Sequence, residues 1–170
     1  MRTETFFIRV WRLISTLGFV LSLFSSHVSY PGEVAVRFNS LGQAVQYINR
    51  DVLFYSVIAI FLIVNVLVNA VVRLFPKIPM ATLTVPHQPI WADNRAELNT
   101  VFTNWFYGLM CAVNTILALG LFVLSLLNRS TSTNSPESYV WLLPMSMLIL
   151  ISVIAALPIR LLMKPRFADA

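Results

Sequence analysis

Asn65, Asn69 and Arg73 stand at i, i+4 and i+8 inside one long apolar run, and Asn114 with Thr115 interrupts another. Side chains at that spacing share one stripe of a helix, so the chemistry on offer is hydrogen bonding away from water, with a cation toward one end. Two uses follow. The amides can join helices, each such contact contributing around 1 kcal/mol, or they can line a path for a polar solute. Acid–base work fits poorly, because no Asp, Glu, His or Lys lies in the middle of any apolar run, and proton coupling or proteolysis at that depth needs such groups. A haem or a cluster would want paired His or a set of Cys. The chain offers His27 and His87 in separate connections and the single Cys111, so neither a cofactor nor a metal is expected.

The elements that position these residues are dictated by composition. At 58% hydrophobic and 11% charged, with a mean hydropathy of +0.77, the chain falls far below the roughly 25% charged residues of an ordinary soluble domain. A hydrocarbon layer about 30 Å thick takes about 20 apolar residues per helix. Four runs meet that length, at about 10–26, 52–75, 102–127 and 139–163. Helix satisfies every backbone donor and acceptor within its own segment, and the short alternating segments of a barrel are missing. The expected fold is therefore all-α, one integral membrane domain of four helices over residues 1–170. Lipid is the first partner this implies.

Orientation follows from the cations. Arg2, Arg9 and Arg12 adjoin the first run, Arg73, Lys77 and Arg95 lie between the second and third, and Arg160, Lys164 and Arg166 close the fourth. Only Arg37, Arg50 and Arg129 fall on the other side. Cytoplasmic connections carry the Lys and Arg excess, which places both termini inside and residues 28–51 and 128–138 outside. The sequence pI of 9.9 then describes a cationic inner rim facing anionic lipid heads, and nucleic acid is not an expected partner. Trp11, Trp105 and Tyr107 fit the inner boundary, and Tyr55, Tyr139 and Trp141 the outer one. Arg9 and Arg12 ahead of an apolar stretch ending at Ser25, Ser26 and Ser29 also fit a secretory leader, though the run is long and lacks a small-x-small cleavage pattern.

Gly18, Ser22 and Ser26 recur every four residues in the first run, and Gly108 with Ala112 repeats the spacing in the third, which allows close helix approach. Cys111 is expected as a small buried apolar side chain. Pro144 and Pro158 each predict a kink near an end of the fourth helix. Between the second and third spans, Pro76, Pro79, Pro86 and Pro89 favour an extended segment over 76–90 with Thr82 to Val85 as a strand candidate. Asn94 and Glu97 have the spacing of a capping box that starts a helix running unbroken into the third span. Asn128-Arg129-Ser130 has the glycosylation pattern but hugs the membrane and receives no role.

In the first outer loop, Tyr30-Pro31-Gly32 predicts a turn, Glu33 to Phe38 a short extended strand, and Asn39 to Gly42 a second turn before Tyr47, Asn49 and Arg50 lead into the next helix. This block resembles the first loop of the bacterial multipass family called domain of unknown function 1648. Its pattern is a Pro, then apolar-x-apolar-His-Phe-Asn-x-x-Gly-x-Pro-Asp, an aromatic, and a Ser-Lys pair. Pro31, Val34, Val36, Phe38, Asn39, Gly42 and Tyr47 occupy pattern positions, and Arg50 stands for the Lys. Arg37 replaces the His, and Ala44 and Val45 replace Pro-Asp, so any chemistry those residues carry in relatives is missing while the apolar and turn framework is kept. The resemblance covers about residues 10–127. It implies a bacterial inner-membrane protein and, for some members, likeness to an immunity and signal-transducing protein that protects against a secreted peptide toxin.

Two functional readings stay open. One is a non-enzymatic sensor, immunity or accessory subunit in which the outer loop and second helix meet a peptide, a lipid or a partner span, as a single copy or a homo-oligomer. The other is a small permease or channel subunit that uses the Asn65, Asn69 and Asn114 stripe.

Overall fold

The computed structural model describes residues 3–39, 41–129, 136–163 and 165. Four helices are long and apolar enough to cross a membrane: α1 (Thr3–Ser29), α2 (Arg50–Leu74), α4 (Arg95–Leu127) and α5 (Leu142–Leu162), the last preceded by a tight turn over Pro136–Tyr139. A short helix, α3 (Gln88–Asp93), lies between the second and third of them. The strands β1 (Glu33–Phe38) and β2 (Ala44–Asn49) form an antiparallel hairpin between α1 and α2. The expected all-α four-helix architecture is the observed one, with a two-stranded sheet where one extended segment was predicted.

The four helices do not share the core equally. α1, α2 and α5 each pack chiefly on α4, which is buried at positions from Glu97 to Ser125. Among the described residues, Val57 is the only buried residue of α2 and Leu161 the only one of α5. Tyr55, Leu62 and Val66 of α2, and Leu143, Leu148 and Ile151 of α5, are each more than half exposed. In water so much apolar surface would be strongly unfavourable, but against lipid tails it carries no such penalty.

Two apolar clusters hold the helices to α4. Toward the hairpin end, Phe19, Leu23, Val57 and Leu121 meet, with the rings of Phe19 and Phe61 stacked at 4.2 Å. Toward the opposite end, which carries Arg73, Arg95 and Arg160 and is here called the basic end, Trp91, Leu98, Val101 and Leu161 form the second cluster. Arg2, Lys164 and Arg166 lie outside the described residues.

The connection from α2 to α4 departs from expectation. Residues 76–90 are not one extended segment. They turn at Phe75–Lys77 and again at Met80–Thr82, and α3 begins at Gln88. Thr82 to Val85 form no strand, since an isolated strand leaves its backbone unpaired. Instead Met80, Leu83 and Val85 cover the second cluster, and the Arg95 guanidinium donates to the carbonyls of Phe75 and Ile78 at 3.3 and 2.9 Å. The capping box also fails: Asn94 makes no side-chain cap, and the Glu97 carboxylate accepts from Arg160 at 2.7 Å.

The close approach expected of small residues is seen at Gly108 of α4 and not at Gly18 of α1, where the buried member of the spacing is Ser26. A methyl group on Gly108 would touch Val153 and Ile8 at 3.6 and 3.7 Å, whereas one on Gly18 would meet nothing within 4 Å. Cys111 is fully buried, as expected. Pro144 falls in the first turn of α5, where its missing donor has no intrahelical partner to lose, and only Pro158 is interior to the helix.

Candidate functional site

The intramembrane stripe is a set of ties between helices. Asn65 Nδ2 donates to the Phe61 carbonyl at 2.8 Å and to Asn114 Oδ1 at 3.1 Å, and Asn114 Nδ2 returns toward Asn65 Oδ1 at 3.5 Å. Asn114 has no exposed surface. One turn along α2, Asn69 Nδ2 donates to the Asn65 carbonyl at 2.7 Å, and its Oδ1 accepts from the Tyr107 hydroxyl at 3.4 Å. An amide left bare at such a site would lose several kcal/mol. Satisfying it from the neighbouring helix fixes the register of α2 against α4. Arg73 is not brought into the network. It is exposed at the end of α2, with no hydrogen bond among the described residues.

Residues read as boundary anchors perform the same service. Trp11 Nε1 donates to Thr115 Oγ1 at 3.2 Å, joining α1 to α4, while Asn104 Nδ2 reaches Thr5 Oγ1 at 3.1 Å. Trp105 Nε1 donates to the Val153 carbonyl at 2.8 Å, joining α5 to α4. At the basic end the Glu97 carboxylate, 4% exposed, holds Arg160, whose guanidinium lies 5.5 Å from the Trp91 ring centre. Every neighbour of α4 is thus tied to it by polar bonds within or beside an apolar contact. The Glu97–Arg160 pair, 63 residues apart, has no local signal that could have exposed it.

The outer-loop motif is also accounted for by local structure. Asn39 Oδ1 accepts from the backbone N–H of Leu41 and Gln43 at 3.0 and 2.8 Å, while its Nδ2 donates to Gln43 Oε1 at 3.1 Å. Gly42 sits at φ 75°, the left-handed region that favours glycine. Phe38 ends β1 opposite Ala44, and the β1–β2 ladder is irregular on either side of Arg37. Pro31 is exposed, followed by Gly32, whose carbonyl accepts from the Arg50 N–H at 3.0 Å. Asn49 Oδ1 caps α2 through Asp51 N–H at 2.9 Å. Tyr47 is 55% exposed, and Arg50 lies 3.7 Å from the exposed Asp51.

What seats the hairpin on the helices was not singled out as a site. Asn128, just past α4, accepts from Ala35 N–H at 2.7 Å and donates to the carbonyls of Ala35 and Leu124 at 3.0 and 2.9 Å. Its amide acts as one more strand unit against β1. Tyr30 is buried with its hydroxyl donating to the Leu121 carbonyl at 3.0 Å. Burial pushes that hydroxyl up to about 12, against a smaller pull from Ser26, so Tyr30 remains a donor through the range in which a free tyrosine ionises. Replacing Asn128 by Ala removes three hydrogen bonds and is expected to weaken hairpin docking by about 1–3 kcal/mol. Hydrogen exchange should then quicken in β1 and β2 while α5 keeps its protection.

Two cavities lie along the bundle. The larger, about 510 Å³, opens between α1, α4 and α5 against Ile8, Trp11, Trp105, Gly108 and Val153, with Glu4 and Arg160 as its charged lining. Neither the polar stripe of Asn65, Asn69, Arg73 and Asn114 nor the outer-loop motif lines it, whereas Trp11, Trp105, Gly108 and Arg160, read as anchors, a packing position and a rim cation, do. The smaller, about 410 Å³, is lined by Arg9, Arg12, Leu13, Thr16 and Asn65. Among the described residues no three His, Cys, Asp or Glu side chains group closely enough to hold a metal ion. His27 lies tilted against Phe54, with 4.4 Å between ring centres, and His87 lies in the connection before α3.

Comparison with known protein families, with curated proteins and with solved structures finds no match to this chain.

Proposed function

We propose that the chain is a non-enzymatic multipass protein of the bacterial inner membrane, a sensor, immunity or accessory subunit with both termini in the cytoplasm. In this reading α1 is a retained span, since Phe19 and Leu23 belong to the core. The observation that carries the proposal is the closed Asn65–Asn114 pair. Polar groups that could have lined a solute path spend their hydrogen bonds on neighbouring helices. What stays open for recognition is the hairpin, with Leu41 79% exposed at its tip, and the apolar faces of α2 and α5. These surfaces suit a peptide or a partner span, or a second copy of the chain, and the likeness of the loop to domain of unknown function 1648 points the same way.

The test pairs capture with flux. A photocrosslinker placed at Leu41 in native membranes should trap one discrete species, and Phe38→Ala or Asn39→Ala should lose it. The purified protein in proteoliposomes should pass no solute above empty vesicles. Flux that disappears in the Asn65→Leu, Asn69→Leu double variant, while that variant still inserts, would replace this proposal with the permease reading.

A further inference from the structure

Arg12 was counted among the cations of the membrane rim, yet it stands within the helix packing. Its guanidinium lies 4.5 Å from the centre of the Tyr107 ring, and Tyr107 is about 18 Å along α4 from Arg95 at 1.5 Å per residue. Its neighbour Trp11 bonds Thr115, whereas the Arg12 side chain reaches Tyr107, nearer the basic end of α4, as a long cation does when it seeks the interface. The ring face satisfies part of the charge. It supplies no acceptor for the guanidinium N–H donors, and among the described residues Arg12 has neither an ion pair nor a side-chain hydrogen bond.

The guanidinium faces the groove of about 410 Å³ lined by Arg9, Arg12, Leu13, Thr16 and Asn65. No carboxylate is among those residues. The groove lies between α1 and α2, which touch each other far less than either touches α4. A buried or half-buried charge at membrane depth calls for a counter-ion. Arginine selects phosphate because its planar fork can give two parallel, charge-assisted bonds. The Thr16 hydroxyl is a further donor on the same wall, while Asn65, held by Asn114, fixes the opposite wall. The volume falls within the range of ordinary ligand sites.

We propose that this groove binds a phosphate-bearing anion, supplied by an anionic lipid headgroup of the adjoining leaflet, with Arg12 as the recognising charge. Inorganic phosphate carries the same group and is the other source.

The test uses the purified full chain in a non-ionic detergent, with the thermal unfolding midpoint followed in three titrations: short-chain phosphatidylglycerol, short-chain phosphatidylcholine and inorganic phosphate. Phosphatidylglycerol should raise the midpoint saturably and phosphatidylcholine should not. Arg12→Gln should weaken the apparent affinity at least about tenfold, as losing one charged hydrogen bond would, and Arg12→Lys should weaken it less. Arg73→Gln, which alters an exposed cation outside the groove, should bind as the wild type does. An Arg12-dependent rise with inorganic phosphate alone would uphold the anion site and overturn the lipid as its source. Equal responses to the two lipids, or unchanged binding by Arg12→Gln, would overturn the proposal. Should Arg12→Gln fail to fold, Arg12→Lys and Thr16→Val carry the comparison. The readout is on the isolated protein, so it succeeds or fails independently of partner capture.

Discussion

Replacing Arg160 by Met is expected to destabilise the protein by about 3–5 kcal/mol, and adding Glu97→Leu to recover most of that loss. The carboxylate of Glu97 is 4% exposed and the Arg160 side chain 17%, with 2.7 Å between them. Removing the guanidinium takes a charge-assisted bond from a group that water cannot reach, and also lifts the cation from the face of Trp91. Removing both charges leaves apolar side chains beside Leu98, Val101 and Leu161, a setting in which an ion pair has little advantage over good packing. Reversible unfolding in mixed micelles, followed by tryptophan fluorescence, measures all four corners of the cycle. A single variant within 0.5 kcal/mol of wild type, or a double variant no better than the single, would show that the pair does not clamp α5 to α4.

The second large effect belongs to the amide pair. Asn114→Leu and Asn65→Leu should each cost about 1–3 kcal/mol, because each leaves its partner amide with fewer bonds. The two should couple by around 1 kcal/mol, the size found for hydrogen bonds between membrane helices. Coupling indistinguishable from zero would mean that the two amides act independently, and the register of α2 against α4 would then need another explanation. The same unfolding assay serves, since the sites lie away from the Glu97–Arg160 pair and additivity between the two cycles is a built-in control.

The spans were legible because hydrocarbon imposes one conformation on any run of sufficient length. Their ends were less so. α1 continues to Ser29, past its apolar run, since a helix need not stop where its apolar residues do, whereas the start of α4 at Arg95 falls where the Asn94 and Glu97 spacing put it. Strand β1 was found from the alternation of Glu33 to Phe38. β2 was missed because Ala44 to Asn49 shows no strong alternation of its own and is defined by its partner. Thr82 to Val85 failed as a strand for the converse reason, having no partner at all.

Polar side chains were found in the sequence, but their partners were not. Asn65 and Asn69 form a stripe by spacing alone, and the structure adds Asn114 and Tyr107 from another helix. Glu97 had the right offset from Asn94 for a cap, and a stronger donor arriving from α5 took it instead. Arg12 lay close enough to the start of α1 to be counted with the rim, and only the position of Tyr107 reveals its depth. Asn128 sat in a glycosylation triplet that drew attention from its amide, which binds the hairpin. Long-range pairing of this kind leaves no periodic trace.

The decisive question is whether the centre of the bundle is dry. An Asn114→Cys variant made in a Cys111→Ala background, in oriented vesicles, can be exposed from each side to a charged, membrane-impermeant maleimide and scored by mass shift. Protection from both sides is the expected result, with labelling only after detergent unfolding. Labelling of the folded protein from either side would reveal water beside Asn114 and contradict the assignment of the amides to helix joining.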